Sequence, residues 1–289
     1  MVAAGEGVGG GGVGGTALNP LKYVGGKGWL TPTIAKIIEG FTFRTYYEPF
    51  VGSGAVYFWL RRQGHTGVAK LSDRNERLIK FYKDLRAAPK LFAVRYDEAR
   101  VTYNTSKHKE DCYYTWREQA NTGDALAFLL VNRAGYNGLW RENKSGNCNV
   151  PWGHRETLPD LSACLLSAGE ALQSAQLSSI GWNEALINPG APTTGDLVYL
   201  DAPYVGTFTG YGAKQWSADD DFALADLVNW LEVRGALVLW SLPDSEHAAA
   251  VLAKLPRVGV HRVVKAGQVS AGARVPQHEL LAVIGGGAR

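Results

Sequence analysis

The sequence is poor in the residues that define several large functional classes. Its 289 positions hold three cysteines, Cys112, Cys148 and Cys164, and no Cys-x-x-Cys. An odd, scattered set frames neither a disulfide scaffold nor a zinc knuckle, and it fits a reducing compartment. No apolar run approaches the ~18 residues of a membrane helix, so no membrane association is expected. Neither sign of charge dominates: 30 Lys and Arg stand against 27 Asp and Glu, a net of +3. That balance neither demands nor excludes nucleic acid. The histidines are dispersed, and the one His-Glu step, His278-Glu279, sits at a strand start and reads as structural, so no metal site is expected. There is no Gly-x-Ser-x-Gly elbow, and no cysteine follows a proline, so covalent catalysis is not suggested.

The length allows one large domain, or one domain with an insert. Residues 1–17 are mostly glycine with Ala and Val and lack the basic region and apolar core of a signal peptide. A disordered glycine-rich tail is expected there. Next comes Lys22-Tyr23-Val24-Gly25-Gly26-Lys27-Gly28, before a helical pattern at 31–39. Its glycines let the backbone approach a ligand, and Lys27 supplies a cation. A phosphate loop is excluded, because no Ser or Thr follows the lysine and no glycine sits at the required upstream position. A plain glycine turn leading into a helix is the simpler alternative.

Thr45–Glu48 reads as a strand, Pro49-Phe50-Val51-Gly52-Ser53-Gly54 as a tight turn, and Ala55–Arg62 as the following helix. Strand, Gly-x-Gly turn and helix make the first unit of a nucleoside-binding sheet. Tyr57 occupies the place of the third dinucleotide glycine, which argues against NAD. A second strand, Val68–Ser72, ends at Asp73, about twenty residues beyond the glycines, where a carboxylate accepts ribose hydroxyls. The plainer role for Asp73 is an N-cap of the helix Arg74–Leu85.

Between about Asp84 and Ser179 the strand–helix alternation stops. Helical patterns fall near 90–100, 112–120, 123–134 and 160–174. Between the last two lies a Gly- and Asn-rich segment from Asn132 to Gly153 whose Asn-Gly and Ser-Gly steps signal a β-hairpin. Arg133, Arg141, Lys144 and Arg155 face one acid in this region, Glu142, and aromatic residues are interleaved with them. Such a surface suits phosphates and base edges. A solvated hairpin with Tyr136 and Trp140 packed on their own loop is the alternative.

Alternation resumes with a buried strand at 196–200, a helix near 218–233 capped by Ser217, a strand at 236–240, a helix at 244–254, and strands at 258–264 and 279–284. The first of these strands runs directly into Asp201-Ala202-Pro203-Tyr204. Open α/β sheets put their ligands at such strand ends. An acid, a backbone carbonyl and an aromatic ring suit a flat, amino-bearing ring such as a nucleobase. A strand-terminal Asp opening a turn over a packed Tyr is the local alternative.

Taken together, the chain from about Asn19 to Ile284 resembles DNA adenine-N6 methyltransferases of the Dam type, the D12 class that methylates GATC. The parts occur in that family's order. Lys22–Lys27 is similar to its N-terminal cofactor motif, Glu48–Gly54 to its main cofactor loop, and Leu71-Ser72-Asp73-Arg74-Asn75 to its ribose-binding acid. Asn132–Trp152 resembles the target-recognition hairpin, the most family-specific stretch. Asp201-Ala202-Pro203-Tyr204 resembles the catalytic Asp-Pro-Pro-Tyr, and Phe208-Thr209-Gly210-Tyr211 the mobile loop after it.

The resemblance implies an α/β fold: a Rossmann-like mixed seven-stranded sheet that uses S-adenosylmethionine, with a mostly helical target-recognition insert containing a β-hairpin. The catalytic domain would span 18–83 and 180–289, and the insert 84–179. Tyr23, Lys27, Asp73 and Asp201 would contact S-adenosylmethionine, with Glu48, Phe50, Gly52 and Gly54 forming its pocket. Lys22, Arg133, Tyr136, Asn137, Leu139, Arg141 and Pro151 would meet double-stranded DNA, Arg141 and Lys22 each at a guanine. Asp201, Ala202, Pro203 and Tyr204 would carry the transfer to a flipped adenine. No obligate protein partner is expected, and the setting would be the cytoplasm of a bacterium or of a phage-infected host. Ala202 departs from the family's proline. Two rivals therefore stay open: an amino-methyltransferase for another DNA word, cytosine N4 or RNA, and a catalytically inactive cofactor- or DNA-binding homologue.

Overall fold

A computed structural model describes residues 19–22, 25–206, 215–265 and 277–285. The tail expected at 1–17, Tyr23 and the loop Phe208–Tyr211 lie outside the described residues. In chain order come α1 (Thr31–Ile37), β1 (Thr45–Glu48), α2 (Ala55–Arg62), β2 (Val68–Ser72) and α3 (Glu76–Ala87). Then follow α4 (Pro89–Thr105), α5 (Lys109–Asn121), α6 (Ala125–Ala134) and α7 (Ser162–Ala171). The rest is β3 (Ala175–Ser178), α8 (Trp182–Ile187), β4 (Asp196–Leu200), α9 (Ala218–Val233), β5 (Leu237–Pro243), α10 (Glu246–Leu252), β6 (Val258–Lys265) and β7 (Gln277–Ile284). Among the described residues, no helix is long and apolar enough to cross a membrane.

The strands form one seven-stranded sheet in the order β3-β2-β1-β4-β5-β7-β6. The first five are parallel, while β7 runs antiparallel to both β5 and β6. This is the mixed α/β sheet that the resemblance implies. Helices cover both faces, so β4 is buried at every position, as an unbroken apolar run requires. Side chains alternate between the two cores. Tyr46, Tyr199 and Leu239 pack with α1, α2, α3 and the helices of the 89–171 stretch. Tyr47, Val198 and Trp240 pack with α8, α9 and α10 on the other face.

Two expectations meet a different structure. The stretch assigned to the insert contains β3, which pairs with β2 from Ala69↔Ala175 to Ser72↔Ser178 and forms an edge of the sheet. Four residues, Ala-Gln-Leu-Ser, are too few to show a period, and tertiary pairing decides them. The segment expected as a β-hairpin has no strand: its arms meet at two isolated antiparallel bridges, Gly135↔Trp152 and Glu142↔Cys148. Its turn residues instead spend their polar groups locally, as where Asn143 Oδ1 accepts from Ser145 and Asn147 N–H. Ser217 caps α9 as expected, in a capping box with Asp220.

Candidate active site

The C-terminal ends of three neighbouring parallel strands converge. The β2 end delivers Asp73, β1 delivers Glu48 and the turn after it, and β4 delivers Asp201. The chain's strand order reverses between β1 and β4, where the fold opens a crevice. The Gly52–Gly54 turn is built for close approach. Gly54 sits at φ 66°, and a Cβ there would lie 3.0 Å from the Phe58 ring. Asp73 Oδ2 accepts from Gly52 N–H at 3.0 Å and its Oδ1 from Asn75 N–H at 2.9 Å. Tyr82 holds the same loop through the Gly52 carbonyl, at 2.8 Å. The cap of α3 is Asn75, which accepts from Leu78 N–H, so Asp73 is not the N-cap. Two residues further back, it faces the glycine turn instead.

Charge accumulates at this edge. Burial holds the Glu48 carboxyl well above the usual carboxylate range, against a 2.9 Å hydrogen bond from Tyr46, with Asp201 and Asp73 pushing further up. Burial also raises Asp73, against backbone N–H groups that favour its ionised form. Asp201 is raised by burial, lowered by Lys27 and raised by Glu279. Its Oδ1 lies 3.3 Å from Lys27 Nζ and 3.1 Å from Ser241 Oγ. Lys27 is only 4% exposed, touches Glu279 at 3.3 Å, and sits 4.9 Å from the centre of the Tyr204 ring. Burial raises the Tyr204 hydroxyl far above its ordinary value, with the charges of Asp201 and Glu279 adding.

Several of these groups border one cavity of about 470 Å³. Lys27, Glu48, Phe50, Gly52, Asp73, Asp201, Ala202, Pro203 and Tyr204 line it, and so do Leu139 and Arg141 from the 135–153 segment. An aromatic wall closes one side: Trp216 meets Phe50 edge-on at 5.5 Å and Trp182 at 6.1 Å. The Trp216 indole N–H donates to the buried Asp221 at 2.8 Å, and Asp221 pairs with His247 at 2.8 Å.

A family model described as D12 class N6 adenine-specific DNA methyltransferase matches residues 23–265. The chain belongs to this family. Among similar proteins, the Retron Ec67 DNA adenine methylase of Escherichia coli is 32% identical over 275 residues, 92% of this chain and 90% of its own. A DNA adenine methylase of Vibrio cholerae is 31% identical over 238 residues, covering 78% of this chain and 82% of its own. The Type II methyltransferase M.MjaIII of Methanocaldococcus jannaschii is 29% identical over 245 residues, 76% and 82% of the two chains.

A D12 methyltransferase draws its methyl group from S-adenosylmethionine, and the cavity's chemistry fits that cofactor. Three acids, Glu48, Asp73 and Asp201, line the cavity with one buried lysine, Lys27, and a fourth acid, Glu279, pairs with that lysine. The acid surplus and the rings of Phe50, Trp216 and Tyr204 favour a ligand that brings positive charge. Lys27 spends two of its three donors on Asp201 and Glu279, which leaves one for a ligand carboxylate.

The residues expected on DNA separate into two groups. Leu139 and Arg141 reach the cavity, and Tyr136 is 53% exposed beside it on the Tyr136–Gly138 turn, where Asn137 adopts φ 52°. Trp140 also borders the cavity, but it packs on Phe128 of α6, at 4.8 Å, rather than on its own loop. Lys22 and Arg133 sit behind the turn. The Lys22 ammonium donates to the Arg133 carbonyl at 3.3 Å, and burial, with Arg155 and Arg133 nearby, lowers its pKa. The Arg133 guanidinium is turned toward Tyr96 and Cys164, and burial lowers its pKa. Pro151 is exposed, and its carbonyl accepts from Tyr136 N–H at 3.0 Å.

Sequence reasoning passed over Glu279, Asn132, Trp182, Trp216, Asp221 and His247. Asn132 is 4% exposed and ties the N-terminal stretch to the turn, bonding Lys22 N–H (2.9 Å), the Lys22 carbonyl (2.7 Å) and the Gly138 carbonyl (2.8 Å). Gly138 permits that approach, since a Cβ on it would fall 2.6 Å from Lys22 Cβ. For Glu279, the one available signal was its place beside a histidine at a strand start, and that was read as structural.

Proposed function

We propose that this enzyme methylates adenine N6 within GATC of double-stranded DNA, on a base that has left the duplex. The observation that carries the reading is the single cavity shared by the strand-end acids, the Asp201–Tyr204 tetrapeptide and the Leu139–Arg141 loop. Lys27, Glu48, Phe50, the Gly52–Gly54 turn and Asp73 would hold S-adenosylmethionine. When bound, that cofactor supplies an electrophilic methyl group for direct in-line transfer. The chain's own task is to prepare the nitrogen. The N6 lone pair is delocalised into the purine, and acceptors on both its hydrogens localise it. The Asp201 carboxylate and the Ala202 carbonyl are those acceptors, and Tyr204 stacks on the extruded ring. Tyr136, exposed on its turn, fills the gap left in the duplex. Residues 18–83 and 180–289, joined by the edge strand β3, act as the catalytic part and the rest of 84–179 as the recognition part, working on DNA in the cytoplasm of a bacterium or phage-infected host.

Duplexes carrying GATC and each one-base variant, incubated with labelled cofactor and mapped for the modified base, test this reading. Adenine in GATC should be the preferred acceptor. A protein indifferent to the word, or one that labels cytosine or RNA, overturns it. Arg141 supplies the finer test. Its Nε donates to Asn149 Oδ1 at 2.7 Å and one terminal nitrogen to the Asn149 carbonyl at 3.2 Å. The remaining donors of the fork can meet a guanine edge. Arg141→Ala should cost ~1–3 kcal/mol of discrimination at one base pair. A uniform loss on all sequences would mark a phosphate contact instead.

The cofactor can be tested without DNA. Asp73→Ala should weaken S-adenosylmethionine binding by ~1–3 kcal/mol, through a lost charge-assisted hydrogen bond and a loosened Gly52 amide. Calorimetry showing wild-type affinity in that variant would remove Asp73 from the site.

A further inference from the structure

Lys27 lies between two carboxylates that reach it from different strands. Asp201 follows β4, and Glu279 stands near the start of β7, opposite Pro243 of β5. Because β7 enters the sheet antiparallel, its beginning lies at the same edge as the ends of the parallel strands. The ammonium is shared evenly, 3.3 Å from Asp201 Oδ1 and 3.3 Å from Glu279 Oε2, with Glu279 Oε1 at 3.5 Å and the Tyr204 ring on a third side. Lys27 is 4% and Glu279 8% exposed, while the Asp201 side chain is 25% exposed and opens on the cavity, so the Lys27–Glu279 half of this sharing is the better shielded from water. On Asp201, Lys27 and Ser241 both contact Oδ1.

We propose that Glu279 is a positioning residue for methyl transfer: by holding half of the Lys27 ammonium, it keeps that cation from closing over Asp201 and leaves Oδ2 to accept a hydrogen from the target amine. The inference rests on the role given to Asp201 above. A lone carboxylate facing a buried lysine would draw the cation fully onto itself, since no second anion competes for it. A second carboxylate on the far side divides the attraction. The charged and titratable groups that face Asp201 are Lys27, Glu279, Tyr204, Tyr199 and Glu48. Of these, Lys27 lowers its pKa, and Glu279 raises it.

Glu279→Gln keeps the shape and removes the charge, while Glu279→Asp keeps the charge on a shorter arm. Two readouts separate positioning from mere support of the fold. Carbon-13 NMR titration of the Asp201 carboxyl, in protein free of cofactor and DNA, should move to lower pH in Glu279→Gln and stay near wild type in Glu279→Asp. Single-turnover methylation should fall about tenfold at its plateau in Glu279→Gln, with its acid limb shifted the same way, and recover in part in Glu279→Asp. Cofactor affinity should change far less than rate. An Asp201 titration identical to wild type overturns the inference, as does an unchanged rate in an active enzyme. If Glu279→Gln does not fold, Glu279→Asp decides: its titration should stay near wild type and its rate within a few-fold of wild type, and a rate at background with that titration unmoved defeats the role. Wild-type protein that methylates no DNA sinks the proposed function instead, and the NMR titration still decides the place of Glu279.

Discussion

Asp201→Ala should lower the single-turnover methylation rate by ~10³-fold or more, to background, because on the proposed mechanism it removes the carboxylate that accepts from N6. Its surroundings sharpen the expectation. Lys27 and Ser241 fix Oδ1 from two directions, so the carboxylate is oriented before substrate arrives. Asp201→Asn, with the same outline, should lose most of the rate as well, since half of its amide is a donor facing a donor. Cofactor binding must be measured alongside, because Asp201 also borders the cofactor's cavity. A variant that binds cofactor and still methylates at a tenth of the normal rate would remove Asp201 from the chemistry.

Two corollaries follow. Burial holds the Asp201 carboxyl above the ordinary range, and only the ionised form accepts from N6, so protonation on the acid side should extinguish the reaction at a higher pH than a solvent-exposed aspartate would. A rate flat through that region would mean that Asp201 does not titrate with activity. Ala202 is the other. It is buried, and Pro203 restricts it to extended backbone, so its carbonyl keeps an orientation that the family's proline would fix more firmly. Ala202→Pro should preserve or raise the rate. Wild-type protein that binds cofactor and GATC DNA without transfer, with transfer restored in Ala202→Pro, would make this chain the inactive homologue.

The second large effect is on stability and recognition together. Asn132→Ala should destabilise the protein by roughly 3 kcal/mol, since it takes the partner from the buried Gly138 carbonyl and from the half-buried Lys22 N–H and carbonyl. Asn132→Asp should be worse, because its carboxylate faces two carbonyls that had accepted from the amide. Both variants should also lose DNA affinity beyond the stability loss, as the Tyr136–Gly138 turn is tied to the N-terminal stretch through this one side chain. Denaturant unfolding checks the first point and DNA titration at fixed salt the second. A loss under about 1 kcal/mol would show that water replaces the amide.

Much of this was legible because it is local. Asp73 and Asp201 each end a strand whose apolar run is visible in sequence, and the Gly52–Gly54 turn announces itself by residue type. Structure places both acids and the turn on one cavity. The Asn- and Gly-rich segment between Asn132 and Gly153 is likewise legible as irregular and polar, but its turn signals imply a ladder where the structure has two isolated bridges. Turn residues mark where a chain bends, whereas a ladder depends on what each arm faces. Where Trp140 and Arg133 point could not be read either, since a side chain that alternates between loop and core has no one-dimensional signature.

The sequence by itself determined most of the strands and helices around the insert, the residues that end β1, β2 and β4, and the family. These follow from short-range periodicity and from motifs whose glycines, prolines and acids act within a few residues of one another. Tertiary structure alone decided that β3 joins the sheet, that Asn132 clasps Lys22 across 110 positions, and that Glu279 grips Lys27 across 252. The reason is the path of the chain. Strand β7 inserts between β5 and β6 in reverse, carrying a carboxylate from near the end of the chain to a lysine near its beginning. No local pattern encodes that meeting, because the free energy that favours it exists only once the sheet has brought the two charges into a shared, dry site.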